Sequence, residues 1–216
     1  MYDYKILRKE SLMSGYTLKI IAIVTMLIDH MTAILISPNH SFYLIGRSVG
    51  RLAFPIFCFL IVEGLLHTRN IQKYMARLFI FALLSELPFD FAFYNPRLND
   101  NYKYHQNIYF TLFIGLIVIA LIHYINKNNF NYWTRLVVNT MVLFLGCILA
   151  YFLHTDYSYM GVLMIWAFYT FRAQLLPLTI ALLLINALYG FPQILAVFSL
   201  LITRRYNGER GPHRNK

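Results

Sequence analysis

Apolar residues run through the chain in eight long stretches joined by short polar links, at about 17–36, 43–66, 74–94, 107–126, 133–153, 158–172, 174–189 and 191–203. A helix that crosses the hydrocarbon core of a bilayer needs about twenty mostly apolar residues. The first five stretches reach that length and the last three fall short, with Pro177 and Pro192 interrupting them. Non-helical backbone at membrane depth is tolerated only where protein or a cavity covers it. The pattern therefore predicts an all-α polytopic membrane protein, a bundle of about eight transmembrane helices with some short or broken. The whole of 1–216 reads as one transmembrane domain, with basic ends at 1–16 and 204–216.

Composition agrees. Of the 216 residues, 59% are hydrophobic and 13% charged, against about a quarter charged in soluble domains. This excludes a disordered chain, a secreted disulfide scaffold and a nucleic-acid domain. Cys58 and Cys147 each lie inside an apolar run and read as buried free thiols. The first apolar stretch is too long for a leader's apolar core and lacks an A-x-A site, so no cleaved signal is expected.

The net charge of +10 changes the picture only through its distribution. Lys5, Arg8 and Lys9 precede the first stretch, and Arg204, Arg205, Arg210, Arg214 and Lys216 follow the last. Link 37–42 has no Lys or Arg, link 67–73 has Arg69 and Lys73, link 95–106 offsets Arg97 and Lys103 with Asp100, and link 154–157 has only Asp156. Counting positive charge inside puts both termini in the cytoplasm and an even number of spans between them. The excess of positive charge is then a topology signal, with no nucleic-acid partner implied.

Ionisable groups inside membrane stretches are costly and are functional candidates by default. The first stretch carries Asp29 and His30, the second Arg47, Arg51 and Glu63, the third Arg77, Glu86 and Asp90. The fourth opens with Asn107 and Thr111, and Asp156 and Tyr157 stand at the far end of the fifth. Alternating span direction places Asp29, His30, Arg47, Arg51, Glu86, Asp90, Asn107 and Asp156 in the outer half. A shared depth points to one convergent site there. Arg47 and Arg51 share a helix face, as do Glu86 and Asp90, so the arginine face and the carboxylate face are candidates to pair across helices. A purely architectural ion-pair network remains open. His30 can exchange a proton near neutral pH. Asp29 either orients it or faces another partner, since adjacent helical residues point about 100° apart.

A second set lies at the cytoplasmic side. Arg69, Lys73 and Arg77 form one basic stripe if that segment is helical, and Lys19 stands at the inner end of the first span. They serve either as topology anchors or as a clamp for the phosphates of a cytosolic cofactor. Glu63 and His67 are also four apart and pair locally. No metal is expected.

The stretches LKIIAIVTMLIDHM (18–31), GRLAFPIFCFLIVEGLLHTRN (50–70), YMARLFIFALLSELPFDFAF (74–93), QNIYFTL (106–112), DYSYMGVLMI (156–165) and YNGERG (206–211) resemble the TraX family, integral membrane proteins named for the acetylase of F-type conjugative pilin. They span most of the chain in the family's order. A looser likeness joins it to membrane acyltransferases that O-acetylate glycans, which carry a basic residue, ten residues, then histidine in the first helix; Lys19 and His30 have that spacing. Members often continue past YNG-x-RG into a further apolar segment with a histidine, whereas this sequence ends at Lys216.

Both likenesses imply acetyl transfer from acetyl-CoA at a bacterial inner membrane, with His30 as base or acyl carrier. They imply a core of His30 and Asp29, with Arg51, Glu63, Arg77, Glu86, Asp90, Asn107 and Asp156 at the family's patterned positions. On this expectation, Lys19, Arg69, Lys73 or Arg77 meets the donor's phosphates, and Arg51 or Asn107 steadies the oxyanion. The acceptor is a peptide N-terminus or a glycan hydroxyl. The rivals are a proton-coupled transporter, which suits intramembrane acids and bases, and a non-catalytic assembly factor. The sequence carries no signal for or against an oligomer.

Overall fold

In a computed structural model, residues 13–93 and 105–211 are described. The basic arm with Lys5, Arg8 and Lys9, the link charges Arg97, Asp100 and Lys103, and the tail residues Arg214 and Lys216 lie outside them. Among the described residues every regular element is a helix. In order they form α1 (Gly15–Leu35), α2 (Ser41–Gly50), α3 (Ala53–His67), α4 (Ile71–Phe93), α5 (Ile108–Lys127), α6 (Tyr132–Phe152), α7 (Ser158–Thr170), α8 (Leu175–Ala187), a 3-10 helix (Gln193–Phe198) and α9 (Ser199–Thr203). Each of the eight apolar stretches becomes helical, and four helical segments are long and apolar enough to cross a membrane: α1, α2 with α3 taken together, α5 and α6.

The starts follow local chemistry. An N-cap side chain that accepts an early N–H satisfies one of the orphan donors of the first turn. Ser14 Oγ accepts from Thr17 N, Asn107 Oδ1 from Tyr109 N and Asn131 Oδ1 from Thr134 N. Asn70 Oδ1 accepts from Lys73 N at the start of α4.

Three expectations need correction. The stretch 43–66 is not one helix, because it breaks at Arg51 and Leu52 between α2 and α3. Pro55 has no N–H to bond the Arg51 carbonyl, and its ring crowds that oxygen. Arg69, Lys73 and Arg77 do not share one helix either. α3 stops at His67 and α4 starts at Ile71 after its Asn70 cap, so Arg69 sits in the link. The stretch 191–203 is a 3-10 helix followed by one short α-helix, preceded by the Phe191–Pro192 cis peptide.

The chain divides into two compact units, residues 1–60 with 182–216 and residues 61–181. In the first, α1 packs on α2, and α2 also meets the 3-10 helix. In the second, α5 packs on α4, α6 and α7. The core there gathers Ile114, Val118, Ile122, Ala150 and Val162. Elsewhere large apolar side chains face outward, as with Leu27 and Leu35 on α1 and Phe144 and Leu145 on α6. Continuous outward apolar surface of this extent is the mark of helices solvated by lipid, and the chain is an integral membrane protein.

Candidate functional site

The first unit builds its polar cluster on the contact between α1 and α2. Gly46 and Gly50 lie four apart on one face of α2. A Cβ at Gly46 would run into the Thr32 side chain, and one at Gly50 into Asp29. Small residues at this spacing let two helices approach closely. The approach delivers the Asp29 carboxylate to the two arginines flanking Gly50. Arg47 Nη1 donates to Asp29 Oδ2 at 2.9 Å, and Arg51 Nη2 donates to Oδ1 at 2.7 Å and Oδ2 at 2.9 Å. The carboxylate that both arginines share is thus Asp29. Asp29 faces these two arginines, the second of the two readings open for it. His30, half-buried, occupies the adjoining position on α1.

Arg51 is held from further sides. Its Nε donates to the Arg47 carbonyl at 3.1 Å and its Nη1 to Gln193 Oε1 at 2.9 Å. Gln193 Nε2 donates to Asn186 Oδ1 at 3.1 Å, and Asn186 Nδ2 to the Leu182 carbonyl at 2.7 Å. Gln193 and Asn186 are buried. A connected network of this kind fixes its members in place. Neither residue is ionisable, and the sequence signal that marks them is an uncharged amide inside each of two apolar stretches, 174–189 and 191–203.

The second unit holds two further clusters. Asn107, buried at the start of α5, caps its own helix and reaches α4: its amide Nδ2 donates to the Ala82 carbonyl at 2.8 Å and to Glu86 Oε2 at 2.5 Å. Its backbone N–H also donates to Glu86 Oε2, at 3.0 Å. Both side-chain N–H groups are therefore occupied, which leaves Asn107 an organiser of α4 and α5. Asp90 follows one turn after Glu86, and its Oδ1 meets no donor among the described residues. Nearby in sequence, Gln106 pairs with the turn before α7: Gln106 N donates to the His154 carbonyl and Asp156 N to the Gln106 carbonyl. Thr111 donates its hydroxyl to the Asp156 carbonyl, and Asp156 Oδ1 accepts from Tyr157 N at 3.0 Å. Tyr157 sits at φ 60, a left-handed turn that this carboxylate contact braces.

The other cluster centres on Glu63, which is buried. Its Oε1 accepts from Arg172 Nε at 2.6 Å, and its Oε2 has no hydrogen-bond donor among the described residues. His67 Nδ1 bonds the Glu63 carbonyl at 2.9 Å and stands 3.6 Å from Oε2. Local pairing of Glu63 with His67 is present, and Arg172 is the stronger partner that sequence spacing could not supply. Among the proposed phosphate contacts, Lys19 on α1, Arg69 in the link, and Lys73 and Arg77 on α4 are all exposed. Among the described residues, no group of three or more His, Cys, Asp or Glu could hold a metal ion.

A family model described as "TraX protein" matches residues 14–215. A curated relative from Dichelobacter nodosus, named "Probable fimbrial assembly protein FimC, serogroup H1", is 32% identical over 112 residues, which cover 50% of this chain and 46% of that protein. The chain thus spans about half the length of the relative it matches. No solved structure matches.

Proposed function

We propose that this chain, which belongs to the TraX family, is an acetyl-CoA-dependent acetyltransferase of the bacterial inner membrane. The observation that carries this reading is the position of His30 on the same turn of α1 as Asp29, whose carboxylate is gripped by Arg47 and Arg51. A proton-accepting imidazole thus lies one residue along α1 from a carboxylate held by two guanidinium groups. Preorganised donors aimed at developing charge supply much of the rate in acyl transfer. In the step we envisage, His30 takes the proton from the acceptor's amine or hydroxyl as that group attacks the thioester carbon. The positive charge of Arg51, whose N–H groups stay bonded to Arg47, Gln193 and Asp29, steadies the tetrahedral oxyanion. The carbon–sulfur bond then breaks and the departing thiolate takes the proton back as CoA thiol. Asn107, with its donors occupied, is assigned no oxyanion role.

The name of the fimbrial relative, an assembly protein, favours a protein acceptor over a glycan. The same name supports a second reading, a non-catalytic assembly factor in which the Asp29 cluster is architectural. His30→Ala separates the two. Membranes supplied with labelled acetyl-CoA and either a pilin-type peptide or a glycan acceptor should lose 10²–10⁴-fold in transfer rate, the contribution of a positioned general base, with thermal stability unchanged. Transfer at the wild-type rate sinks the catalytic assignment, and retained pilus assembly without transfer favours the second reading.

A further inference from the structure

The YNGERG segment (206–211) has no part in the chemistry above, yet the fold gives it a defined place. It lies against the start of α1 through four main-chain bonds. Met13 N donates to the Arg205 carbonyl at 3.0 Å, Asn207 N to the Met13 carbonyl at 2.9 Å, Gly15 N to the Glu209 carbonyl at 2.8 Å and Tyr16 N to the Arg210 carbonyl at 2.9 Å. The side chains explain why this sequence folds so. Tyr206 is buried edge-on against Phe59, with ring centroids 5.3 Å apart. Asn207 Oδ1 accepts from Glu209 N at 2.8 Å and closes the turn. Gly208 and Gly211 take φ 80 and 128, which L side chains rarely adopt, and a Cβ on Gly211 would also meet the Tyr16 side chain.

This docking has an electrostatic result. The early N–H groups of α1 are spent on the Glu209 and Arg210 carbonyls and on Ser14 Oγ, so the helix terminus itself offers an anion nothing. The cations around it are different. Arg205 and Arg210 are exposed, and their carbonyls are bonded to Met13 and Tyr16. Lys19 is exposed three residues beyond Tyr16, on the same helix face. The described ion pairs involve none of the three. The local carboxylate, Glu209, is turned toward Asn207 Nδ2 at 3.4 Å. Tyr16, 54% exposed, adds an aromatic face at the same spot, and such faces stack on nucleobases.

We propose that Lys19, Arg205 and Arg210, with Tyr16 beside them, form a clamp for the phosphates and base of a nucleotide-bearing acyl donor. This rests on the acetyl-CoA reading above and assigns the phosphate end to the YNGERG docking. Lys19 stands about 16 Å below His30 along α1. A donor with its phosphates at one end and its thioester at the other suits that separation. The loop is fixed by main-chain bonds before the donor arrives, so little ordering cost opposes binding.

The test uses the full-length protein in nanodiscs of uncharged phosphatidylcholine. The variant is Arg205→Ala/Arg210→Ala, which leaves the four main-chain bonds in place; an unchanged melting temperature verifies that. Acetyl-CoA is compared with acetyl-pantetheine, which lacks the phosphates and the base, and CoA binding is measured directly by displacement. The expected result is a rise of about tenfold or more in both the KM for acetyl-CoA and the Kd for CoA, with kcat retained and the KM for acetyl-pantetheine unmoved. Replacement by lysine should restore part of the loss. Equal changes for both donors overturn the clamp, as does no change while the wild type uses acetyl-CoA; the transferase reading then stands. A defect that appears only in nanodiscs of anionic lipid assigns these residues to headgroups and also overturns the clamp. A wild-type protein that neither binds CoA nor transfers from acetyl-CoA overturns the parent reading and the clamp together.

Discussion

Replacing Gly46 or Gly50 by alanine should separate α1 from α2, and the two sites should differ in a set order. At an open helical position the change from glycine to alanine stabilises by about 0.4–1 kcal/mol. Here the added methyl has no room. At position 46 it lands on Thr32 Oγ1, with Thr32 Cβ at 2.9 Å, and at position 50 it lands on the Asp29 carboxylate and Cβ. Each neighbour includes a Cβ anchored to the α1 backbone, so rotating a side chain does not relieve the contact and α2 must move. Such overpacking costs about 1–3 kcal/mol, which the propensity gain only partly offsets. Gly50→Ala carries an additional loss, because the Arg47 and Arg51 bonds to Asp29 at 2.7–2.9 Å stretch as the helices part. The Asp29 and Arg51 side chains are only 14% and 13% exposed, so water replaces those bonds poorly. We expect a net cost of about 1 kcal/mol at Gly46 and about 2–3 kcal/mol at Gly50. At about 2–4 °C per kcal/mol for a chain of this size, melting in detergent should fall by roughly 2–4 °C and 4–12 °C. Once one alanine has moved the helices, the second costs less, so the double variant should fall short of the sum by about 1 kcal/mol. A melting temperature that rises at either site, or a strictly additive pair, refutes the close-approach argument.

Two further outcomes test the second unit. Arg172→Ala strips the main partner from Glu63, whose side chain is 6% exposed and whose Oε2 already lacks a donor. It should cost about 1–3 kcal/mol after allowing for the 34% exposure of Arg172, and adding Glu63→Gln should recover part of the loss in thermal unfolding; a double variant no more stable than Arg172→Ala refutes the charge-burial account. Asn107→Ala should cost about 2–4 kcal/mol, combining a lost cap with lost donors to Ala82 and Glu86. Asn107→Asp keeps the capping oxygen but sets a carboxylate against Glu86, so it should melt no higher than the alanine variant. Full stability of Asn107→Asp would reduce the residue to a cap.

The membrane character and the approximate limits of the helices were legible because a bilayer imposes length and polarity on every span. What escaped depended on single residues. The break at Arg51 and Leu52 is written in Pro55, yet the apolar run continues across it and hid the interruption. Asn70 as a cap removed Arg69 from the basic stripe. Helix spacing showed that Arg47 with Arg51, and Glu86 with Asp90, each share a face. It could not show which helix each face meets. That choice was made for the arginines by Gly46 and Gly50, two residues with no side chain to attract notice.

Depth calculated from topology sorts polar residues by level, and packing decides their company. Asp29, Arg47, Arg51, Gln193 and Asn186 form one connected group; Glu86 and Asn107 form another; Asp156 and Thr111 tie a turn to α5. Within such groups the accounting of donors and acceptors separates architecture from chemistry. Asn107 spends both amide N–H groups on the fold, and an oxyanion would have to displace Ala82 or Glu86 to reach them. An oxyanion role for Asn107 therefore carries the cost of a broken internal bond. Arg51 also spends Nε, Nη1 and Nη2 on the Arg47 carbonyl, Gln193 and Asp29, but unlike the neutral amide it carries a full positive charge, which acts on an oxyanion over a short distance with those bonds intact. That difference is why the proposed chemistry rests on α1 and α2.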